Sequence, residues 1–204
     1  MYQFEYFTEK DIQKVEEIIQ NNPFAMVVGT ASNGFPVATQ LPLELIRREN
    51  GIYLRGHMMK GAAHHLALEK NNKVMALFTG PHHYISASWY NKKNVASTWN
   101  YVSIQATGNI HFTDEYETIK ILEEITDKYE KADSPSSFSK LSETYISEMA
   151  KYVAGFEIKI EKMENVFKLS QNHPKDTRLG IISALEEKNS ENATAIAKLM
   201  KARL

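Results

Sequence analysis

The sequence contains no cysteine. This absence excludes disulfide bridges, thiolate nucleophiles, cysteine-ligated zinc and iron–sulfur clusters, so any redox chemistry has to come from an organic cofactor. An excess of charge of one sign is also lacking, because 24 lysines and arginines stand against 25 aspartates and glutamates. With a net charge of -1, the chain as a whole has no electrostatic attraction for nucleic acid or anionic lipid, and any such binding must be local.

No apolar stretch is long and uninterrupted enough to indicate a membrane span. The two charge-poor stretches, 74–91 and 94–113, are broken by Pro81, Asn100 and Gln105, which is typical of a buried, polar-lined interior. The N-terminus has acidic residues from an early point and no apolar core, which argues against a signal peptide. We therefore expect a cytoplasmic protein with no membrane partner.

Composition and periodicity together indicate the fold class. With 204 residues, 43% of them hydrophobic, the chain is long enough to bury a core as one domain. Helical spacing of apolar residues predicts helices over 12–22, 61–68, 114–129, 141–153, 175–187 and 190–204. Alternation and β-branched or aromatic residues predict strands over 24–30, 37–46, 52–57, 73–79, 97–111, 155–162 and 165–169. This order favours a mainly β (α+β) fold, a small antiparallel barrel with helical additions.

One candidate site lies where a predicted strand meets a predicted helix, around 54–61. Arg55 and Lys60 supply positive charge just before a glycine, and the free N–H groups at the start of a helix favour anions. The arrangement suits a phosphate group. The spacing alone, however, is more often found for solvated charges at the edge of a sheet.

A second candidate site is an aromatic and polar segment over 84–101, which contains both tryptophans of the chain. Aromatic rings beside hydroxyl and amide groups can form a flat slot that stacks on a heterocycle and hydrogen bonds its edge. A buried core or a dimer interface is the competing interpretation.

Other polar features are less informative. The adjacent pairs His64–His65 and His82–His83 do not chelate a metal by themselves, because neighbouring side chains diverge on a strand or a helix, and we predict no metal site. The polar run 167–172 fits turn chemistry and a ligand contact about equally well. Nucleophile-elbow, Walker and dinucleotide-binding motifs do not occur.

Three segments resemble the motifs of the PaiB family, which are FMN-binding split-barrel proteins often described as transcriptional regulators. They are Pro-His-His-Tyr-Ile-Ser-Ala-Ser-Trp-Tyr at 81–90, Thr-Trp-Asn-Tyr at 98–101 and Phe-Lys-Leu-Ser-Gln-Asn at 167–172. The resemblance covers nearly the whole chain. It implies a split β-barrel that forms a homodimer, with FMN in clefts at the subunit interface. The implied division is a split-barrel FMN-binding domain over 1–170, with inserted helices at 114–153, and a C-terminal helical extension over 171–204.

The resemblance also implies the site residues. Lys60 would hold the FMN phosphate, with help from Arg55 and His57. Six further side chains would lie near the flavin or its ribityl chain: Gln40, Ser86, Ser88, Trp89, Trp99 and Asn100. The sequence departs from the family pattern at 60–63, where Lys-Gly-Ala-Ala replaces an arginine followed by Asn-Pro, and at Ala87 and Gln105. Since lysine lacks the bidentate geometry of arginine, we expect weakened FMN binding.

Three functions remain open. The first is an FMN-binding flavoprotein, either an oxidoreductase or a protein that binds without turnover, since no side chain is an obvious acid or base. The alternative is a PaiB-type negative transcriptional regulator acting through FMN, DNA or a protein partner. Lys198, Lys201 and Arg203 give the C-terminus a slight basic bias, but nearby glutamates counter it and no helix-turn-helix signature occurs. The third is a barrel that has lost its cofactor.

Overall fold

The computed structural model describes residues 4–92 and 94–204. Within them the strands are β1 (Phe24–Thr30), β2 (Pro36–Pro42), β3 (Glu44–Arg48), β4 (Gly51–Met59), β5 (Lys73–Ile85), β6 (Thr98–Phe112) and β7 (Val153–Lys168). The α-helices are α1 (Ile12–Asn21), α2 (Ala63–Lys70), α3 (Glu115–Tyr129), α4 (Glu143–Ala150), α5 (Lys175–Glu186) and α6 (Glu191–Lys201). None of these helices is both long enough and apolar enough to cross a bilayer. The prediction that there is no signal peptide rests partly on residues 1–3, which lie outside the described residues.

The strands form one sheet in the order β2-β1-β5-β6-β7-β4-β3. β1 pairs antiparallel with β2 and β5, and β4 pairs antiparallel with β3 and β7. The hairpin turn predicted between β1 and β2 is present, with Gly34 at φ +85°. There the Asn33 side chain accepts a hydrogen bond of 3.1 Å from the N–H of Phe35. The predicted antiparallel, mainly β fold with helical additions is confirmed.

The chain divides into two compact units. Unit 1 contains the described part of Met1–Asn22 together with Thr79–Ile104 and Glu164–Leu204. Unit 2 contains Pro23–Phe78 and Gln105–Met163. The C-terminal helices α5 and α6, predicted as an extension, therefore share unit 1 with α1.

Unit 1 is built largely from amphipathic helices. α1 begins at Ile12 because the Asp11 carboxylate accepts a hydrogen bond of 3.0 Å from the N–H of Gln13. α6 buries four residues at helical spacing, which are Ala193, Ile196, Ala197 and Met200. α5 and α6 pack against each other.

Unit 2 holds the hairpin and the core under it. Alternate residues of β1 are buried, among them Ala25 and Val27. They share this core with Leu54, Phe78 and Phe156, all fully shielded from solvent. The alternation leaves the other face of β1 exposed.

Four predicted strands differ clearly from the observed ones, and those predicted over 155–162 and 165–169 form the single strand β7. The segment predicted as one strand over 37–46 divides at Leu43, which is buried and whose N–H donates to the carbonyl of Pro23 at 2.8 Å. The strand predicted to end at Thr79 continues to Ile85. Gly80 lies within this strand and does not end it. A Cβ at this position would lie 3.0 Å from Val102, so the glycine permits close packing against that residue.

Candidate functional site

The nine predicted cofactor-binding side chains form two sets, one in each unit. Unit 2 holds Gln40, Arg55, His57 and Lys60. Unit 1 holds Ser86, Ser88, Trp89, Trp99 and Asn100. The candidate phosphate site is therefore a feature of unit 2, and the candidate aromatic site is a feature of unit 1.

The loop between β4 and α2 has the features of a phosphate cradle. Lys60 is exposed, and its ammonium group makes no ion pair or hydrogen bond with the described residues. Gly61 has φ +79°, a left-handed conformation that favours glycine, and the space where a Cβ would stand is open. No side chain caps the first turn of α2, whose N–H groups therefore remain available to an anion.

Backbone hydrogen bonds hold this loop in place. The N–H of Lys60 donates to the carbonyl of Tyr152 at 2.9 Å. The N–H of Gly61 donates to Nδ1 of His65 at 3.4 Å. His65 is itself buried, and its ring centroid lies 4.7 Å from that of Phe112. The loop is thus fixed before any ligand arrives.

Two histidines close to this loop in sequence carry buried nitrogens without a partner among the described residues. They are Nδ1 of His57 and Nε2 of His64. Burial lowers the pKa of His57. Burial and, secondarily, the neighbouring His65 lower the pKa of His64. Both rings are therefore mainly neutral at pH 7, and each offers one unused polar atom.

His64 is a candidate that the sequence analysis missed, since the His64–His65 pair was considered only as a metal ligand. Its place in the first turn of a helix that follows Lys60 and Gly61 was the available signal. Buried polar atoms without partners are uncommon in folded proteins, which makes His57 and His64 candidates for ligand contacts.

Arg55 is engaged with carboxylates. Its Nε and Nη2 donate to Oε1 of Glu157 at 3.0 and 2.9 Å, and its Nη1 donates to Oε2 of Glu124 at 2.5 Å. Hydrogen bonding from Arg48, and then from Arg55, lowers the pKa of Glu157, although partial burial acts in the opposite direction. These contacts argue against the predicted help from Arg55 in holding phosphate.

Gln40 lies on the exposed face of the hairpin. The β1–β2 register places it opposite Met26, and opposite residues of an antiparallel pair point to the same side. The same face carries Phe24, which is 62% exposed, and Ala38. Gln40 is thus a polar side chain within an otherwise apolar exposed face.

The two tryptophans do not form one slot within the chain. The ring of Trp99 lies 6.3 Å from His82 and 6.0 Å from Tyr84. The ring of Trp89 lies 6.3 Å from His83. Since adjacent residues of a strand point to opposite faces, His83 points away from the side of His82 and Tyr84, and the two indoles contact opposite sides of β5. Trp99 is 53% exposed and is the more accessible of the two for stacking.

Ser86 and Ser88 bond each other, with their Oγ atoms 2.8 Å apart. Ser86 Oγ also accepts from the N–H of Ser88, which caps the short 3-10 helix Ala87–Trp89. Ser88 is exposed and Ser86 partly so, which leaves both able to meet a ligand.

Asn100 is fully buried and faces the interior of unit 1. Its carboxamide and the hydroxyl of Ser170 are hydrogen bonded, at 3.0 and 3.1 Å. Ser170 adopts φ +62°, an uncommon conformation for a serine, and its side chain also bonds Tyr90. The network stabilises this turn and argues against a direct flavin contact by Asn100.

The remaining polar side chains of the run 167–172 also serve the fold. Lys168 donates to Thr98 Oγ1 at 2.5 Å and to the carbonyl of Trp99 at 2.9 Å, and burial lowers its pKa. Gln171 bonds the backbone on both sides of Lys168. Of the two interpretations left open from the sequence, turn chemistry is the one these contacts favour.

The unit 2 residues fit the phosphate end of FMN. An unpaired cation, a glycine with an open Cβ position and an uncapped helix start supply charge and donors in one loop, and His57 and His64 lie close to it in sequence. The described residues contain no group of three or more histidines and carboxylates arranged to hold a metal ion.

Comparison with known proteins defines the class and then the family. Among solved structures, the flavocytochrome Anf3 from Azotobacter vinelandii superposes with a TM-score of 0.61 at 15% identity, covering 82% of this chain and 72% of that one. The FAD and heme binding protein from Mycobacterium smegmatis gives 0.60 at 14% identity, covering 84% and 78%. These likenesses show the fold alone, which is the split barrel that the sequence predicted.

A family model described as "Putative FMN-binding domain" matches residues 1–162. The protein "Protease synthase and sporulation protein PAI 2" of Bacillus subtilis (strain 168) is 34% identical over 205 residues, which cover 100% of this chain and 98% of that protein. The chain belongs to this FMN-binding family. The predicted PaiB resemblance is confirmed, and FMN is the cofactor that the family implies.

Proposed function

We propose that this protein is an FMN-dependent oxidoreductase whose cofactor phosphate is held by Lys60, Gly61 and the first turn of α2. The observation that carries the proposal is the Lys60–Gly61 loop, an exposed, unpaired cation followed by open backbone at an uncapped helix. Family membership supports FMN as the ligand.

The residues of this loop have distinct tasks in the proposal. The Lys60 ammonium pairs with the phosphate as a point charge, and the missing side chain of Gly61 lets the backbone approach it. Neutral His57 and His64 provide hydrogen bonds that do not depend on protonation at pH 7. Bound FMN supplies the hydride or electron transfer, which the chain's own side chains cannot perform.

Unit 1 carries its own candidate surface for an aromatic ligand. The exposed ring of Trp99, with Tyr84 and His82 beside it, is the surface that suits stacking on a flavin. Ser86 and Ser88 keep accessible hydroxyls for its polar edge. We propose these roles on accessibility, and assign Asn100 to the support of the turn behind them.

Replacing Lys60 with alanine is expected to weaken FMN binding about tenfold to a hundredfold, because a charge-assisted phosphate contact contributes about 1.5–3 kcal/mol. The measurement is titration of purified protein with FMN, followed by visible absorbance and by flavin retained through gel filtration. Lys70→Ala is the matched control, since it removes an exposed lysine from the C-terminal end of α2, away from the loop.

Equal affinities in the Lys60→Ala and Lys70→Ala variants would place the phosphate elsewhere. No retained flavin in the wild-type protein at excess FMN would favour the barrel without cofactor.

Oxidoreductase activity is then tested by bleaching of the bound flavin with NADH or NADPH and its recovery in air. A flavin that neither reductant bleaches would contradict the redox assignment.

The exposed face of the hairpin supports a homodimer. Phe24 and Met26 are 62% and 37% exposed, and their neighbours on this face include Ala38 and Leu77. Exposed contiguous apolar surface on a sheet is typical of an interface. We propose that a second copy of the chain covers this face, which would place Gln40 at the subunit boundary.

A Met26→Lys substitution is expected to weaken the dimer about a hundredfold, because the partner would have to bury an ammonium group without a counter-ion. Lysine fits the free chain, since Met26 is already partly exposed. Light scattering across a dilution series measures the change in mass. The control is Leu179→Lys on α5, an apolar residue of unit 1 that is 46% exposed, and a similar loss from both variants would contradict the proposed interface.

Contacts at the C-terminus do not favour the alternative of a DNA-binding regulator. Lys201 is ion-paired with Glu186 at 2.5 Å, and Arg203 is ion-paired with Glu9. Two of the three cations that gave this segment its basic bias are thus neutralised. Regulation through FMN or a protein partner would not require those charges.

A further inference from the structure

A cavity of about 450 Å³ lies within unit 1, between one face of α1 and one face of α6. None of the nine predicted FMN contacts lines it. Every lining residue belongs to unit 1. It is therefore separate from the candidate sites described above.

Small residues on α6 leave this space open. Ala195 on α6 and Ala202 directly after it line the cavity at helical spacing, with Leu199 between them. Ile18 of α1 and Phe167 add further apolar lining. A larger side chain at position 195 would take up part of this space.

Positive charge dominates the lining. Three cations, Lys14, Lys198 and Arg203, stand against a single acid, Glu17. Lys14 and Arg203 each have a carboxylate partner nearby. Lys198 is exposed and makes no ion pair with any residue that the structure describes. It is the cation available to a ligand.

We infer that this cavity binds a small aliphatic carboxylate, with its chain between α1 and α6 and its carboxylate on Lys198. The volume is within the range of small-molecule sites, about 300–1,000 Å³. A two-turn helix, close to 10 Å in diameter, would need about 850 Å³, nearly twice the space, which disfavours a peptide helix as the occupant. The apolar interior suits an alkyl chain, and the free cation selects an acid over a neutral lipid.

The test is calorimetric titration of the full chain with decanoate. We expect saturable binding at one site per chain. Hexanoate should bind at least tenfold more weakly, because each methylene withdrawn from water contributes about 0.8 kcal/mol. Lys198→Gln should weaken decanoate binding about fivefold, whereas Lys175→Gln, which removes an exposed lysine of α5 outside the cavity, should leave it unchanged.

Ala195→Phe should weaken binding by occupying part of the cavity. If that variant does not fold, the Lys198 variant and the hexanoate comparison decide the matter. The inference is overturned by a lack of saturable binding, by equal effects of Lys198→Gln and Lys175→Gln, or by unchanged decanoate affinity in a folded Ala195→Phe variant. Displacement of decanoate by FMN would also overturn it, since the cavity would then belong to the flavin site. Decanoate binding in a chain that retains no FMN would support it independently of the proposed function.

Discussion

Replacing Arg55 with methionine is expected to lower the free energy of unfolding by about 2–3 kcal/mol at pH 7, while FMN affinity changes by less than about twofold. Arg55 is largely buried, with 12% of its side chain exposed, and Glu157 is 19% exposed. Removing the guanidinium leaves a half-buried carboxylate with Arg48 as its remaining partner. Because Arg48 remains, the loss should fall below that of a fully broken buried ion pair.

The loss should depend on pH. Hydrogen bonding from Arg48 and Arg55 holds the pKa of Glu157 below its ordinary value of 4.5. A carboxylate whose pKa is lowered by folding contributes stability above its unfolded pKa, and this contribution is lost as the pH falls through the folded pKa. The difference between wild type and Arg55→Met should therefore be full at neutral pH and shrink below pH 4.5.

Urea unfolding of the FMN-free protein at several pH values measures this difference, with Lys128→Met as the control. Lys128 also pairs with a glutamate, Glu44, but at 3.5 Å and with 36% of its side chain exposed, so its removal should cost less than about 1 kcal/mol. The opposite pattern, intact stability and tenfold weaker FMN binding in Arg55→Met, would show that Arg55 holds the phosphate as the sequence resemblance implies.

Local signals explain which elements could be predicted. The α1 helix follows from the Asp11 cap and its apolar spacing, and the hairpin follows from Asn33 and Gly34, all of which act within a few residues. The division of the second hairpin strand could not be predicted in this way. It depends on a hydrogen bond between Leu43 and Pro23, which are distant in sequence.

The candidate site shows the same limit. The Lys60–Gly61 loop was predictable, because a strand, a glycine and a helix follow one another along the chain. The hydrogen bonds of Arg55 and Asn100 could not be predicted, because their partners Glu157 and Ser170 lie 102 and 70 residues away in the sequence. A family motif predicts which residue types stand at a site. The hydrogen bonds that those side chains already make are seen only in the folded structure. The predicted boundary at residue 170 stays a prediction.

Replacing Gly108 with alanine is expected to destabilise unit 2 by about 3–4 kcal/mol, above the usual range for overpacking. An added Cβ would lie 2.0 Å from the carbonyl oxygen of Lys159, 2.8 Å from its carbonyl carbon and 3.1 Å from Cα of Ile160. These are backbone atoms of β7, so no side-chain rotation relieves the clash. β6 and β7 would have to move apart at this point, with loss of pairing between them.

Gly34→Ala provides the control for Gly108→Ala. Gly34 has φ +85°, so alanine there is strained, but no atom lies within 4 Å of the added Cβ. This strain should cost about 1 kcal/mol, which leaves the backbone clash at Gly108 as the source of the remaining difference. Urea unfolding of both FMN-free variants measures it. Equal losses in the free energy of unfolding would contradict the close approach of β6 and β7. Backbone strain alone would then account for the effect of both substitutions.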